Sequence, residues 1–171
     1  RAAVDRLARA HDVTLVEGAG GVLVRLAPDL TLLDLCADVG APVVVVVPPG
    51  LGALNHAELT VGAVRARGVR VAGLVIGSWP AEPDLAMRCN RDDLPRLTGT
   101  PVGGVIPAGA GSLSPAEFGR RAASWFDPDW LARELALVPP AADPASPAAA
   151  PVSPAAASVS PRAAALAPTA T

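Results

Sequence analysis

The sequence predicts an α/β fold, a mostly parallel sheet with helices on both faces. Short, near-continuous valine-rich runs recur along the chain, as strands covered on both faces require. Helical patterns with start and stop residues lie between them, and strand–helix alternation implies βαβ units. Small-residue turns rich in glycine and proline follow the runs, at the carboxyl ends where open α/β sheets bind ligands.

The first strand is predicted over Val13–Val16, in "VTLVEGAGGVLV". A short helix follows over Leu30–Val39, then a second strand over Pro42–Val47. The next helix is predicted over Leu54–Arg67. Asn55 is its expected N-cap, Glu58 sits three residues on as in a capping box, and Gly68 stops it. Val69–Ile76 is the third strand and Val102–Ile106 a weaker fourth. In "SPAEF", Ser114 is a cap, Pro115 opens the helix and Glu117 takes the third position. That helix puts Phe118, Ala122 and Trp125 on one face. Asp127-Pro128 breaks it, and Asp129 is expected to cap a last short helix. Residues 1–138 form one domain by this reading. From 139 to 171 proline recurs among alanine and serine, a composition with no packable face, and this tail is predicted to be disordered.

Of the 171 residues, 51% are hydrophobic but only 3% aromatic, so the core must be built from Val, Leu and Ala. A net charge of −2 supplies no field for nucleic acid or an anionic membrane. The most apolar run, "APVVVVVPPGLGAL", is interrupted by proline and too short to span a bilayer. The opening "RAAVDRLARAHD" lacks the apolar core of a signal peptide. Cys36 and Cys89 lack metal-ligand spacing and read as reduced thiols of a cytoplasmic protein. The chain starts at Arg rather than Met, from which an upstream segment is expected.

Four turns carry candidate chemistry. Glu17 stands just past the first predicted strand, where a carboxylate can serve Mg²⁺, a hard cation that takes one or two carboxylates plus phosphate oxygens and water. Gly18, Ala19, Gly20 and Gly21 follow, and their small side chains let backbone N–H groups approach a phosphate. A glycine turn beside a solvated Glu fits the same residues equally well. In "PPGLGALNHAELT", Gly50 and Gly52 permit an unusual backbone path into a helix N-terminus suited to an anion. His56 has no partner at suggestive spacing and reads as a surface group. "IGSWP" and "IPAGAGSL" follow the last two strands, with small residues where a base or ribose could rest; Trp79 reads as cover for the sheet edge. No G-x-x-x-x-G-K-[ST] motif occurs, and every basic side chain apart from the two histidines is arginine.

The series "VEGAGGVLV", "PVVVVVPPGLGALNHAELT", "VAGLVIGSWP" and "VGGVIPAGA" resembles the dethiobiotin synthetase family in order and spacing, over Val4 to Leu131. "VEGAGG" is shared with cobyrinate amidating synthases; "LGxxNHxxLT" is far more specific. The resemblance implies the C-terminal portion of a P-loop NTPase-like α/β domain. It implies an ATP-dependent, Mg²⁺-requiring ligase of biotin synthesis that joins CO₂ to 7,8-diaminopelargonate and closes the ureido ring. By this resemblance Glu17 is a metal-binding residue, and Glu17, Gly18, Ala19 and Gly20 contact nucleotide. Gly77 and Ser78 fall where the family touches the base, and Pro107, Ala108 and Gly109 match a further nucleotide-contact segment. Gly50, Leu51, Gly52 and Asn55 match the loop that holds the substrate carboxylate across a homodimer interface.

The chain departs from the family at two places. Gly77-Ser78 replaces the Asn-Asp of many members, which removes an amide that reads adenine. The P-loop, its lysines and a metal-binding aspartate are expected upstream of Arg1, so the isolated chain is expected to be inactive. The competing readings are another P-loop amidating ligase sharing "EGAGG", and a non-catalytic fragment that pairs with a full-length subunit.

Overall fold

The computed structural model describes residues 1–136. The expected tail, 139–171, lies outside the described residues. The elements in chain order are α1 (Ala2–Ala10), β1 (Arg25–Ala27), β2 (Leu30–Thr31), α2 (Leu32–Val39), β3 (Val43–Val47), α3 (Ala53–Ala66), β4 (Val71–Trp79), α4 (Leu85–Thr98), β5 (Val102–Pro107), α5 (Pro115–Ala122) and α6 (Pro128–Ala136).

The main sheet has three strands in the order β3-β4-β5, and both pairings are parallel. Val47 pairs with Ile76, Ile76 with Val105, and Trp79 with Pro107, so all three carboxyl ends emerge along one edge. Alternation along the strands sends Val45, Val47, Leu74 and Ile76 to one face. There they pack with Ala57 and Val61 of α3 and Leu94 of α4. The opposite face is covered by Trp130 of α6. Its indole N–H donates to the Ala72 carbonyl at 2.9 Å. Gly73 and Gly103 make room for the ring, since a Cβ at either would meet Trp130 at 2.6 or 2.2 Å. Helices therefore pack on both faces, as the sequence predicts, with the second face covered over β4 and β5 and Val44 and Val46 of β3 left exposed. Arg65 at the end of α3 donates to the Thr98 and Gly99 carbonyls, placing a cation at the C-terminus of α4.

Four expectations need correction. Val13–Val16 forms no strand; these residues run irregularly, with Leu15 90% exposed. A valine-rich run becomes a strand only where a neighbour accepts its ladder, and among the described residues β3 pairs with β4 alone. Second, Leu30–Thr31 belongs to a small antiparallel hairpin with Arg25–Ala27 rather than to a helix. Thr31 then caps α2 in a full capping box with Asp34. Third, α3 begins at Ala53 with Gly52 as its N-cap at φ 85°, so Asn55 is a first-turn residue and not the cap. Last, the carboxylate that caps α6 is Asp127, which accepts from the Trp130 N–H at 2.7 Å; Asp129 lies inside the helix. The Ser114 cap and Pro115 start are as expected, and Phe118 meets Trp125 edge-on at 5.1 Å.

Candidate active site

The β4 and β5 ends are joined directly. The Ala108 N–H donates to the Trp79 carbonyl at 2.7 Å, continuing the parallel ladder past the last paired residues. Gly77 and Ser78 thus lie beside Pro107, Ala108 and Gly109. Ser78, Ala108 and Gly109 are exposed, Gly77 and Pro107 half-buried. Gly109 turns the chain with φ 80°, a conformation that L side chains rarely adopt. Gly77 is held small by a neighbour, because a Cβ there would meet Val46 Cγ1 at 2.8 Å. The surface at these ends is therefore mostly backbone.

The β3 end leads into the second segment. Val47 lies beside Ile76 in the ladder, and the chain then runs through Pro48 to Gly52 into α3. Leu51 is 91% exposed; Gly52 and Asn55 are exposed as well. The positive φ at Gly52 is what lets the loop enter the helix. Among the described residues no side chain caps this N-terminus. Ala53 donates to the Gly50 carbonyl, and His56 makes the first in-helix bond, to Gly52. The Leu54 and Asn55 N–H groups between them belong to the positive end of a 14-residue helix. Asn55, Glu58, Leu59, Gly62, Ala63 and Ala66 together form one open face of α3. His56 is exposed, in keeping with a surface role.

The third segment stands apart. Glu17 is exposed on irregular backbone and does not sit at a strand end. Gly18 packs on Leu32, where a Cβ would meet Cδ2 at 2.2 Å. Gly20 and Gly21 have φ of 90° and 99°, and the space on the Cβ side of Gly21 is open within 4 Å. Glu17 is thus a single exposed carboxylate beside a glycine turn. Among the described residues, no group of three or more His, Cys, Asp or Glu converges.

Two residues that the sequence did not single out touch these ends. Arg91 of α4 lies over the Trp79 ring, 5.3 Å from its centroid. With Trp79 also packed on the core, its role as cover is the one the geometry favours. Asn90 of α4 donates from Nδ2 to the carbonyls of Pro49 and Gly50, at 2.9 and 2.8 Å. The only local signal was a poor helix former inside a helix. Cys36 and Cys89 are free thiols; burial pushes the Cys36 thiol up. No helix among the described residues is long and apolar enough to cross a membrane.

A family model described as an AAA domain matches residues 1–115. A protein of Rhodococcus jostii named ATP-dependent dethiobiotin synthetase BioD is 58% identical over 73% of this chain and 54% of its own length. Proteins of the same name from Rhodococcus erythropolis and Streptomyces coelicolor are 61% and 54% identical, over 66% and 74% of this chain and 50% and 53% of their own lengths. The chain spans about half the length of the curated relatives it matches.

Proposed function

The chain belongs to the dethiobiotin synthetase family of P-loop-type AAA domains, and from that premise we propose that it carries the substrate-carboxylate site and much of the nucleotide site of such an enzyme. The full-length protein uses ATP and Mg²⁺ to carboxylate 7,8-diaminopelargonate with CO₂ and close the ureido ring, as a cytoplasmic homodimer. The observation that supports this best is the shared sheet edge. The β4 and β5 ends lie side by side through the Ala108–Trp79 hydrogen bond, and the uncapped α3 N-terminus stands at the neighbouring strand end.

In this reading one amine nitrogen attacks CO₂ and loses a proton, giving a carbamate. A carbamate oxygen takes the γ-phosphoryl group with departure of ADP. The second amine then attacks the carbamate carbon, the C–O bond to phosphate breaks, and inorganic phosphate leaves as the ring closes. This chain's residues bind and orient. The backbone around Gly77, Ser78 and Pro107 to Gly109 seats the base and ribose. The Leu54 and Asn55 N–H groups and the Asn55 amide hold the substrate carboxylate, presented from the partner subunit's active site; the open face of α3 with its exposed Leu59 is suited to lie at that interface. Glu17 would hold Mg²⁺ against the phosphates, and the turn through Gly20 would point backbone N–H groups toward them. The ion supplies charge neutralisation to the phosphoryl group in transfer.

The test is Glu17→Gln in the full-length enzyme. Loss of an electrostatic contact to the transferring group should lower turnover by about 10²-fold, with little change in the melt. Near-normal turnover at limiting Mg²⁺ would refute the assignment.

A further inference from the structure

We propose that Asn90 is a positioning residue for diamine binding: its side-chain amide sets the Pro49–Gly52 loop and thereby the aim of the α3 N-terminus. The inference rests on the reading of that loop as the substrate-carboxylate site.

Both hydrogens of one amide nitrogen are spent here. Nδ2 donates to two consecutive carbonyls, Pro49 at 2.9 Å and Gly50 at 2.8 Å, across about forty residues of sequence. Successive carbonyls ordinarily point apart in extended backbone. Drawing both to one donor fixes the peptide planes on either side of Gly50. The Gly50 carbonyl also accepts from Ala53 N–H at 3.2 Å, so Asn90 and the first turn of α3 grip the same oxygen. Gly52 follows two residues on, at φ 85°. Outside this grip the loop is weakly held: Leu51 is 91% exposed, and Gly50 and Gly52 are conformationally permissive. A loop of this kind gains most from a tether. The tether is rigid, since Asn90 sits on α4, whose Leu94 is fully buried in the core against Val47 and Ala57.

Aspartate at this position keeps the shape but has no hydrogen to donate, and it sets a carboxylate against two carbonyl oxygens. The experiment is steady-state kinetics of Asn90→Asp and Asn90→Ala in the full-length synthetase, well below the melting temperature of each variant. Two lost neutral hydrogen bonds correspond to about tenfold or more in affinity. The diamine KM should rise by that factor in both variants, while kcat and the nucleotide KM stay within about threefold. Thr98→Val is the control on the same helix: it removes a buried hydroxyl that donates to the Leu94 carbonyl at 2.7 Å and does not touch the loop. It should lower the melt without splitting the two KM values. An equal split in Thr98→Val, or an unchanged diamine KM in Asn90→Asp, overturns the proposal. Asn55→Asp, measured alongside, separates the layers. If it weakens diamine binding while Asn90→Asp does not, the tether alone is wrong. If it binds diamine normally, the loop is not the carboxylate site.

Discussion

Residues 43–136 and residues 1–31 are both rich in alanine, valine and leucine, yet they use them differently. In the first region Leu74, Ile76 and Leu94 are fully buried, and Trp130 is 6% exposed. In the second, α1 buries no residue, and Val13, Leu15 and Val16 are 46%, 90% and 49% exposed. The difference lies in long-range partners. β4 is paired on both sides and packed on both faces, so its hydrophobic residues are spent in a ladder and a core. Val13–Val16 has the composition of such a strand and no ladder to join among the described residues. β3 shows the halfway case: Val45 and Val47 are buried beneath α3, while Val44 and Val46 on its other side are 43% and 66% exposed. Hydrophobic pattern states what a segment is suited to; neighbours decide what it does.

Substitutions can sharpen this contrast. Trp130→Ala should have the largest effect on stability, about 3–5 kcal/mol, because it empties a cradle formed by two glycines and breaks the bond to Ala72. Denaturant midpoints at constant slope measure it. Leu74→Ala should follow, at about 2–5 kcal/mol. Leu15→Ala should change stability by no more than about 0.5 kcal/mol in the 171-residue chain. A large loss there would mean that Leu15 is buried in solution and would erase the comparison.

A smaller effect separates the regions by pH. Asp34 accepts hydrogen bonds from the Thr31 hydroxyl and N–H and pairs with Arg67, joining the cap of α2 to the end of α3. The Thr31 hydrogen bonds, then Arg67, hold its carboxyl below the usual range. A depressed folded-state pKa stabilises above the unfolded value, and that contribution is lost as pH falls through the folded one. Wild type should therefore melt above Asp34→Asn near neutrality, and the gap should close as the solution is acidified below about pH 4. A gap that widens on acidification would contradict the capping network.

The base site predicts a difference that should be small. On the proposed placement of the base at Gly77 and Ser78, with Val46 occupying the space a Gly77 side chain would need, recognition would rest on backbone, shape and the Ser78 hydroxyl. A site without an amide that pairs with the base edge would discriminate weakly. Rates with ATP, CTP and GTP in the full-length enzyme should agree far more closely than the thousandfold or more that side-chain readout can supply.

Much of this was legible in the sequence because its signals are local. The valine runs announced β3, β4 and β5. Ser114, Pro115 and Glu117 announced α5; Phe118 and Trp125, expected on one face of that helix, do meet, but α5 ends at Ala122 and a 3-10 turn over Ala123–Trp125 carries Trp125. What escaped depends on contacts between distant residues. Strands of two and three residues, as in β1 and β2, carry too little periodicity to register. Gly52 outranked Asn55 as the start of α3 because the turn needed a positive φ more than a side-chain cap. Trp130 and Asn90 act on carbonyls 58 and about 40 residues away, and the nearby sequence offers no more than a poor helix former at Asn90. Of the candidate site, two of three segments lie on one sheet edge. Glu17 was expected at a strand end and instead lies on irregular backbone.

The central claim is that this edge carries two separate binding surfaces, one for nucleotide and one for the diamine carboxylate. Amide hydrogen exchange in the full-length synthetase tests it most directly. A non-hydrolysable nucleotide with Mg²⁺ should slow exchange at Ser78 and Gly109, and diamine alone should slow it at Leu54 and Asn55. Protection by both ligands elsewhere, with these amides unchanged, would contradict the account.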